Sequence, residues 1–298
     1  MSEPTARDLG EFGLIAAVTA RFPSSSAVII GPGDDAAVVA FPDGRVVATK
    51  DVLVEGVHFR RDWSSASDVG HKAAAASLAD VAAMGGTATA LLVGLAAPSD
   101  LPVAWVLGLA DGLREESALV GACVVGGDTV SGPQVVVSVT ALGVLGGQPV
   151  TRAGAHPGDL VVVAGRLGWA AAGLRLLQQG TATGPLVDAH RRPLPPYALG
   201  PVLAAAGATA MCDVSDGLVQ DLGHISAASG VGIELESALL HDDAVAIEDV
   251  LHGGEDHALV ATVAGPPPPG CRVVGRVVAG EGVRLDGRAV AGGWEHFR

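Results

Sequence analysis

The residues of this chain best equipped for chemistry are carboxylates set beside glycines. Asp34 and Asp35 follow Gly31-Pro-Gly33, and Asp51 follows Lys50. Asp80 closes Leu78-Ala-Asp80 and Asp128 closes Gly126-Gly-Asp128, while Asp213 and Asp216 frame Asp213-Val-Ser-Asp-Gly217. Nearly every one sits where a strand, a glycine turn or a helix is expected to begin or end, and loops on a scaffold are where ligands are held. Several carboxylates drawn from distant segments into one cleft repel one another unless cations stand between them. Hard cations such as Mg²⁺ take oxygen ligands, one or two carboxylates each, with waters and substrate phosphates completing the shell. The pattern therefore fits a polyphosphate held through metal ions. No GxxxxGK[ST] supplies a phosphate-cradling lysine, and Gly165-Arg-Leu-Gly168 is too short for a dinucleotide fingerprint. A lone Asp before a helix is more often its cap than a ligand; only the set argues for metals.

These side chains need elements to hold them. An amphipathic helix is expected over residues 8–22, with Leu9, Phe12, Ile15, Ala16 and Val18 toward one face. Strands follow at 27–30, 36–41 and 45–49, the last extending through Asp51 toward Phe59. Ser65-Ala-Ser-Asp68 reads as a capping box opening an Ala-rich helix over 69–84. On that helix Ser77 and Asp80 share a face. Strand 89–95, helix 101–119, strand 122–125, a turn at Gly126–Thr129 and strand 134–145 complete the first half. The Gly- and Pro-rich stretch 146–158 marks the boundary, giving domains 1–148 and 149–298. The second half opens with 159–164, apolar on both faces. Helices 169–179, 198–206 and 218–229 then alternate with strands 211–214, 232–236, 257–263, 272–278 and 283–285. The class is α/β (α+β): two domains of mixed sheet with helices packed on them.

Composition bounds the function. The chain has 298 residues, is 49% hydrophobic and 17% charged, and carries a net charge of −14. Nucleic acid and anionic membranes both call for clustered Lys and Arg, and no such run exists. The amino terminus lacks an apolar signal core. The most apolar region, 73–97, is interrupted by Asp80 and Gly85-Gly86, short of the ~20 apolar residues of a membrane span. Cys123, Cys212 and Cys271 are isolated, as expected of small buried hydrophobes in a reducing cytoplasm.

The motifs form one ordered series: Gly31-Pro-Gly-Asp-Asp-Ala-Ala, Glu55-Gly-Val-His-Phe59, Leu78-Ala-Asp-Val-Ala-Ala-Met-Gly85, Gly126-Gly-Asp-Thr129, Thr151-Arg-Ala-Gly-Ala155, Asp213-Val-Ser-Asp-Gly-Leu218, Gly254-Glu-Asp256 and His296-Phe297. From Glu11-Phe12 to Phe297 that series resembles the thiamine-monophosphate kinase family, of the aminoimidazole ribonucleotide synthetase superfamily. The resemblance implies that superfamily's two-domain fold and ATP-dependent phosphorylation of thiamine monophosphate to thiamine diphosphate, by direct transfer without a phosphoenzyme. It implies several Mg²⁺ ions on Asp35, Asp51, Asp80, Asp128, Asp213 and Asp216, with Thr49 and Lys50 at two further metal positions. Gly127, Asp128, Arg152 and Ser215 match ATP contacts, and His58, Glu255 and Trp294 match thiamine monophosphate contacts. Catalysis would rest on Asp51, Asp128, Asp216 and Arg152. The superfamily's shared barrel of first-domain strands implies a homodimer.

The residues suit these roles. Phosphoryl transfer needs alignment and charge neutralisation more than covalent chemistry, and guanidinium matches phosphate in a bidentate way. Three departures stand out: Lys50 where the family usually has Thr, Ala79 where Ser often precedes the helix Asp, and His257 where Tyr is common. Two alternatives remain open: another ATP-using synthetase of the superfamily, and a non-catalytic nucleotide- or metal-binding module disabled at Lys50. Against other relatives, the first Cys is Cys123 and the chain ends in His-Phe-Arg, whereas a selenophosphate synthetase wants an early reactive Cys and a hydrogenase-maturation protein a terminal one.

Overall fold

The computed structural model describes residues 4–30 and 38–294. The Gly31–Asp35 stretch with Asp34 and Asp35, the first two residues of the strand expected over 36–41, and His296-Phe297 lie outside the described residues. The chain divides into two compact units, Met1–Val81 with Ala88–Val144, and Ala82–Thr87 with Leu145–Arg298.

The first unit runs α1 (Ala6–Thr19), β1 (Val28–Ile30), β2 (Val38–Val39), β3 (Val47–Val54), α2 (Ala66–Ala83), β4 (Gly86–Ala97), α3 (Val103–Ala118), β5 (Cys123–Ser131) and β6 (Val136–Leu145). Its main sheet has the order β3-β6-β4-β5; β1 and β2 form a separate hairpin. β3 pairs antiparallel with β6 over eight residues, and β4 runs parallel to β5, so the sheet is mixed. The capping box at α2 forms as expected: Ser65 N–H donates to Asp68 Oδ2 at 2.9 Å, and Asp68 N–H donates to Ser65 Oγ at 3.2 Å. Two N-terminal donors are thus satisfied where the Ala-rich stretch begins.

One sequence expectation is corrected here. Gly126-Gly-Asp-Thr129 is not a turn; β5 runs straight through it, with a bulge opposite Leu91 and Leu92. The glycines serve close strand contact instead. A Cβ on Gly127 would lie 1.9 Å from the Val93 carbonyl oxygen, so only glycine fits there.

The second unit contains β7 (Leu160–Ala164), α4 (Trp169–Gln178), α5 (Pro185–Arg191), α6 (Leu199–Ala205), β8 (Ala208–Val214), α7 (Leu218–Ser229), β9 (Gly232–Leu235), α8 (Ile247–His252), β10 (Ala258–Val263), β11 (Cys271–Val278), β12 (Gly282–Leu285) and β13 (Arg288–Val290). Its seven-stranded sheet has the order β13-β12-β9-β11-β7-β10-β8, antiparallel throughout except for β12 beside β9. β7 lies inside this sheet and is buried on both faces. Val161 and Val163 enter one core with Leu218, Leu222 and Ile225 of α7, while Val162 and Ala164 enter another with Leu203 of α6 and Met211 of β8. A continuously apolar strand is what such two-sided burial selects. Among the described residues, no helix is long and apolar enough to cross a membrane.

Candidate active site

In the first unit, β3 and α2 hold the carboxylates. Alternation along β3 puts Thr49, Asp51 and Leu53 on one face and Ala48, Lys50 and Val52 on the other, the latter exposed. Thr49 Oγ1 donates to Asp80 Oδ2 at 2.5 Å, and Ser77 Oγ lies 2.6 Å from Asp51 Oδ2 and 3.1 Å from the Val139 carbonyl oxygen. Ser77 and Asp80 stand one turn apart on α2, so helix and strand each set one hydroxyl against the other's carboxylate.

Asp128 is placed elsewhere. β6 and β4 separate β5 from β3, which sets the two strands about 14 Å apart at the usual strand spacing. Asp128 pairs with Gly94, whose Cβ position lies 3.6 Å from Ser138 Cβ, and Ser138 pairs with Val52. Asp128 and Lys50 therefore share the sheet face opposite Asp51. The Thr129 N–H donates to Asp128 Oδ1 at 2.9 Å. His58, beyond the end of β3, accepts the Val54 N–H at Nδ1 over 3.0 Å. That bond leaves Nε2 as the protonated nitrogen of the neutral ring, a donor. Buried Lys72 reaches the His58 carbonyl oxygen at 3.3 Å.

In the second unit the site grows from the turn between β8 and α7. Asp213, at the end of β8, is 5% exposed; its Oδ2 lies 3.0 Å from His257 Nδ1. The segment Gly253–His257 lies along this turn: Glu255 N–H donates to the Ser215 carbonyl at 2.9 Å and His257 N–H to the Val214 carbonyl at 3.1 Å. Glu255 and His257 hold φ of 66° and 51°, a left-handed backbone that side chains rarely adopt and that clusters at functional sites. Glu255 Oε2 stands 3.7 Å from Nδ1 of buried His190, on α5. Trp294 N–H donates to the Asp216 carbonyl at 3.0 Å. Arg152 is exposed and its carbonyl accepts Ser229 Oγ at 3.0 Å.

Two residues of this region have roles that the sequence reading did not assign, although Asp256 stands in the Gly254-Glu-Asp256 motif. Asp221, on the first turns of α7, accepts the Asp216 and Gly217 N–H groups at 3.1 Å each. Burial first, then the Asp213 charge beside it, push its carboxyl up to about 7. Its signal was the Asp-Gly-x-x-x-Asp spacing, a side chain reaching back to the open end of a helix. Asp256 accepts the Ala170 N–H at 2.9 Å, capping α4 from 86 residues away, and burial raises it to about 6. A cap so distant leaves no local pattern.

The donors that come together are oxygens, with carboxylates crowded enough at the 213–221 turn to hold one proton near neutrality. That chemistry fits hard cations bridging to phosphate. Among the described residues no three His, Cys, Asp or Glu side chains gather closely enough to hold an ion by themselves; the carboxylates stand in pairs with hydroxyls and backbone. Asp35 lies outside the described residues.

The models for AIR synthase related protein match as an N-terminal domain over residues 33–145 and a C-terminal domain over 156–288. The chain belongs to this AIR synthase-related family. Within it, similar proteins include thiamine-monophosphate kinases: that of Mycobacterium tuberculosis is 47% identical over 99% of this chain and 93% of its own. The crystal structure of the Stenotrophomonas maltophilia enzyme superposes with a TM-score of 0.82 at 35% identity, covering 94% of this chain and 98% of that one. AaThiL complexed with AMPPCP and TMP gives 0.81 at 35% identity, covering 98% of both.

Proposed function

We propose that this chain is a kinase that phosphorylates thiamine monophosphate to thiamine diphosphate with ATP. The observation that carries the reading is the similarity, over 98% of both chains, to AaThiL holding an ATP analogue and TMP. In the reaction, a terminal oxygen of the substrate phosphate attacks the γ-phosphorus. The bond from γ-phosphorus to the β,γ-bridging oxygen breaks, and ADP leaves with that electron pair. The attacking oxygen is already anionic, so no general base is required.

The residues divide the work. Asp35, Asp51, Asp80, Asp128, Asp213 and Asp216 are assigned to Mg²⁺, with the Thr49 hydroxyl beside Asp80. Lys50 has no side-chain lone pair to offer as an ammonium, so only its carbonyl is available to a cation. Bound Mg²⁺ would neutralise charge on the phosphate oxygens. Arg152 and Ser215, with Gly127 and Asp128, are assigned to ATP. Trp294 offers a face to a cationic ring, Glu255 a charge to it, and His58 a donor at Nε2.

The 1–148 part is assigned to ATP, Mg²⁺ and dimerisation, and 149–298 to completing the site. Exposed Val52, Leu92 and Val130 on one face of the β3-β6-β4-β5 sheet support a homodimer through that face. Light scattering giving the monomer mass at micromolar concentration refutes it. Three cysteines without a disulfide agree with a cytoplasmic place.

The test is an assay with ATP, Mg²⁺ and thiamine monophosphate, reading thiamine diphosphate by chromatography. Product requiring all three supports the reading, and ADP without thiamine diphosphate points to another acceptor. Asp51→Asn and Asp128→Asn are expected to lose about a hundredfold or more in turnover, the scale of a lost charge-stabilising group, with the melting transition kept. Saturable ATP binding without turnover would favour the non-catalytic module.

A further inference from the structure

The segment Gly292–Trp294 is fastened to the turn that carries Asp216 by one backbone hydrogen bond and one side chain. Gln220 lies one helical turn beyond Asp216, on α7. Its Nε2 donates to the Trp294 carbonyl at 2.7 Å and to Asp216 Oδ2 at 3.3 Å, using both hydrogens of the amide. The Trp294 N–H donates to the Asp216 carbonyl, so the tryptophan backbone is held at both its N–H and its C=O. Gly293 makes the approach possible. A Cβ there would stand 2.4 Å from Gln220 Oε1 and 2.8 Å from the Asp216 carbonyl oxygen, and its φ is 153°. Trp294 itself remains 55% exposed. A pinned backbone under an accessible ring is an arrangement for presenting that ring to a ligand.

We propose that Gln220 is a positioning residue of this site: its amide clamps the Gly292–Trp294 segment to the Asp216 turn and so fixes where the tryptophan ring stands relative to that carboxylate. The inference rests on the proposed function, in which Asp216 holds a cation and Trp294 meets the thiamine ring. One amide thereby sets the spacing between the phosphate end and the ring end of one substrate. The part of Gln220 is to keep the ring in place before the substrate arrives, which lowers the ordering cost of binding.

Two full-length variants test this. Gln220→Met keeps the length and removes the donors, and Gln220→Glu keeps the shape but sets an acceptor against the Trp294 carbonyl and Asp216. Losing a hydrogen bond of this kind corresponds to about 5-fold in an equilibrium constant. The KM for thiamine monophosphate is expected to rise about 5-fold in Gln220→Met and further in Gln220→Glu, with kcat within about 2-fold and the KM for ATP unchanged. Without any ligand, amide hydrogen exchange of the peptide containing Trp294 is expected to quicken in both. A fall confined to kcat, or exchange equal to wild type in both variants, overturns the proposal. If wild-type protein makes no thiamine diphosphate, the functional reading fails by itself, and the exchange measurement still decides whether Gln220 holds the segment.

Discussion

Ser77 reaches Asp51 from a fully buried place on α2, its Oγ 2.6 Å from Asp51 Oδ2. The carboxylate is thereby aimed from behind by a helix, while Thr49 one strand position earlier on the same face donates to Asp80 on that helix. Helix and strand exchange these bonds crosswise, so neither can shift without misplacing both carboxylates. Ser77→Ala is expected to cost about 1 kcal/mol of stability, the worth of a typical hydrogen bond. It should also raise the Mg²⁺ concentration for half-maximal activity several-fold. Chemical denaturation and a Mg²⁺ titration of the rate check the two parts separately.

Much of this was legible beforehand. The Ser65–Asp68 cap, the shared face of Ser77 and Asp80, and the double-sided burial of the strand through Val161–Val163 follow from local spacing, because helix and strand periods fix which way side chains point. What the sequence hid is what depends on partners far along the chain. The glycines before Asp128 looked like a turn, since nothing nearby announces a parallel neighbour whose carbonyl leaves no space for a side chain. α5 and α8, 7 and 6 residues long, were missed because runs so short show little of a helical period; α6, as short as α5, was marked by the Pro-rich stretch 193–196 before it. Gln220 carried no signal at all: its role exists only once Trp294 has come back to α7, 74 residues later.

Lys50 bears on whether the site is active. Its side chain points away from Thr49 and Asp51, and the Lys50→Thr variant leaves those two groups as they are. The expected result is turnover within about 3-fold of wild type, since the exposed side chain faces away from Thr49 and Asp51 and stands three strands from Asp128. A large gain of activity on Lys50→Thr would instead show that the lysine had disabled the site, as the binding-module alternative requires.

Asp256 gives the fold a pH dependence of definite sign. Its folded carboxyl titrates at about 6, above the ordinary ~3.9 of an unfolded aspartate, chiefly because it is buried. Between those values the folded state binds more protons than the unfolded one, so this group's stability contribution is full below pH ~4 and is lost as pH rises through about 6. The loss amounts to about 2 to 3 kcal/mol by linkage. Asp256→Asn retains an oxygen to accept the Ala170 N–H and cannot titrate. Its stability should therefore fall less than wild type's between pH 4 and 6. Thermal melts across that range giving parallel curves for the two proteins would sink the assignment.

The two glycines before Asp128 should behave very differently when a methyl group is added. At Gly126 the new Cβ would meet Leu92 Cδ2 at 3.2 Å, the far end of a flexible side chain. At Gly127 it would meet the Val93 carbonyl oxygen at 1.9 Å and the Val93 carbonyl carbon at 2.9 Å, and backbone cannot swing aside without breaking the pairing of β4 with β5. Gly126→Ala is thus expected to cost about 1 kcal/mol or less, and Gly127→Ala about 3 kcal/mol or more, the upper range for forcing extra volume into packed structure. Denaturant midpoints measured side by side give the order. Because Gly127 precedes Asp128 on the strand, the same variant should lose turnover even where enough of it folds to assay. Equal stability of the two variants would mean that β5 does not lie against β4 in the register described.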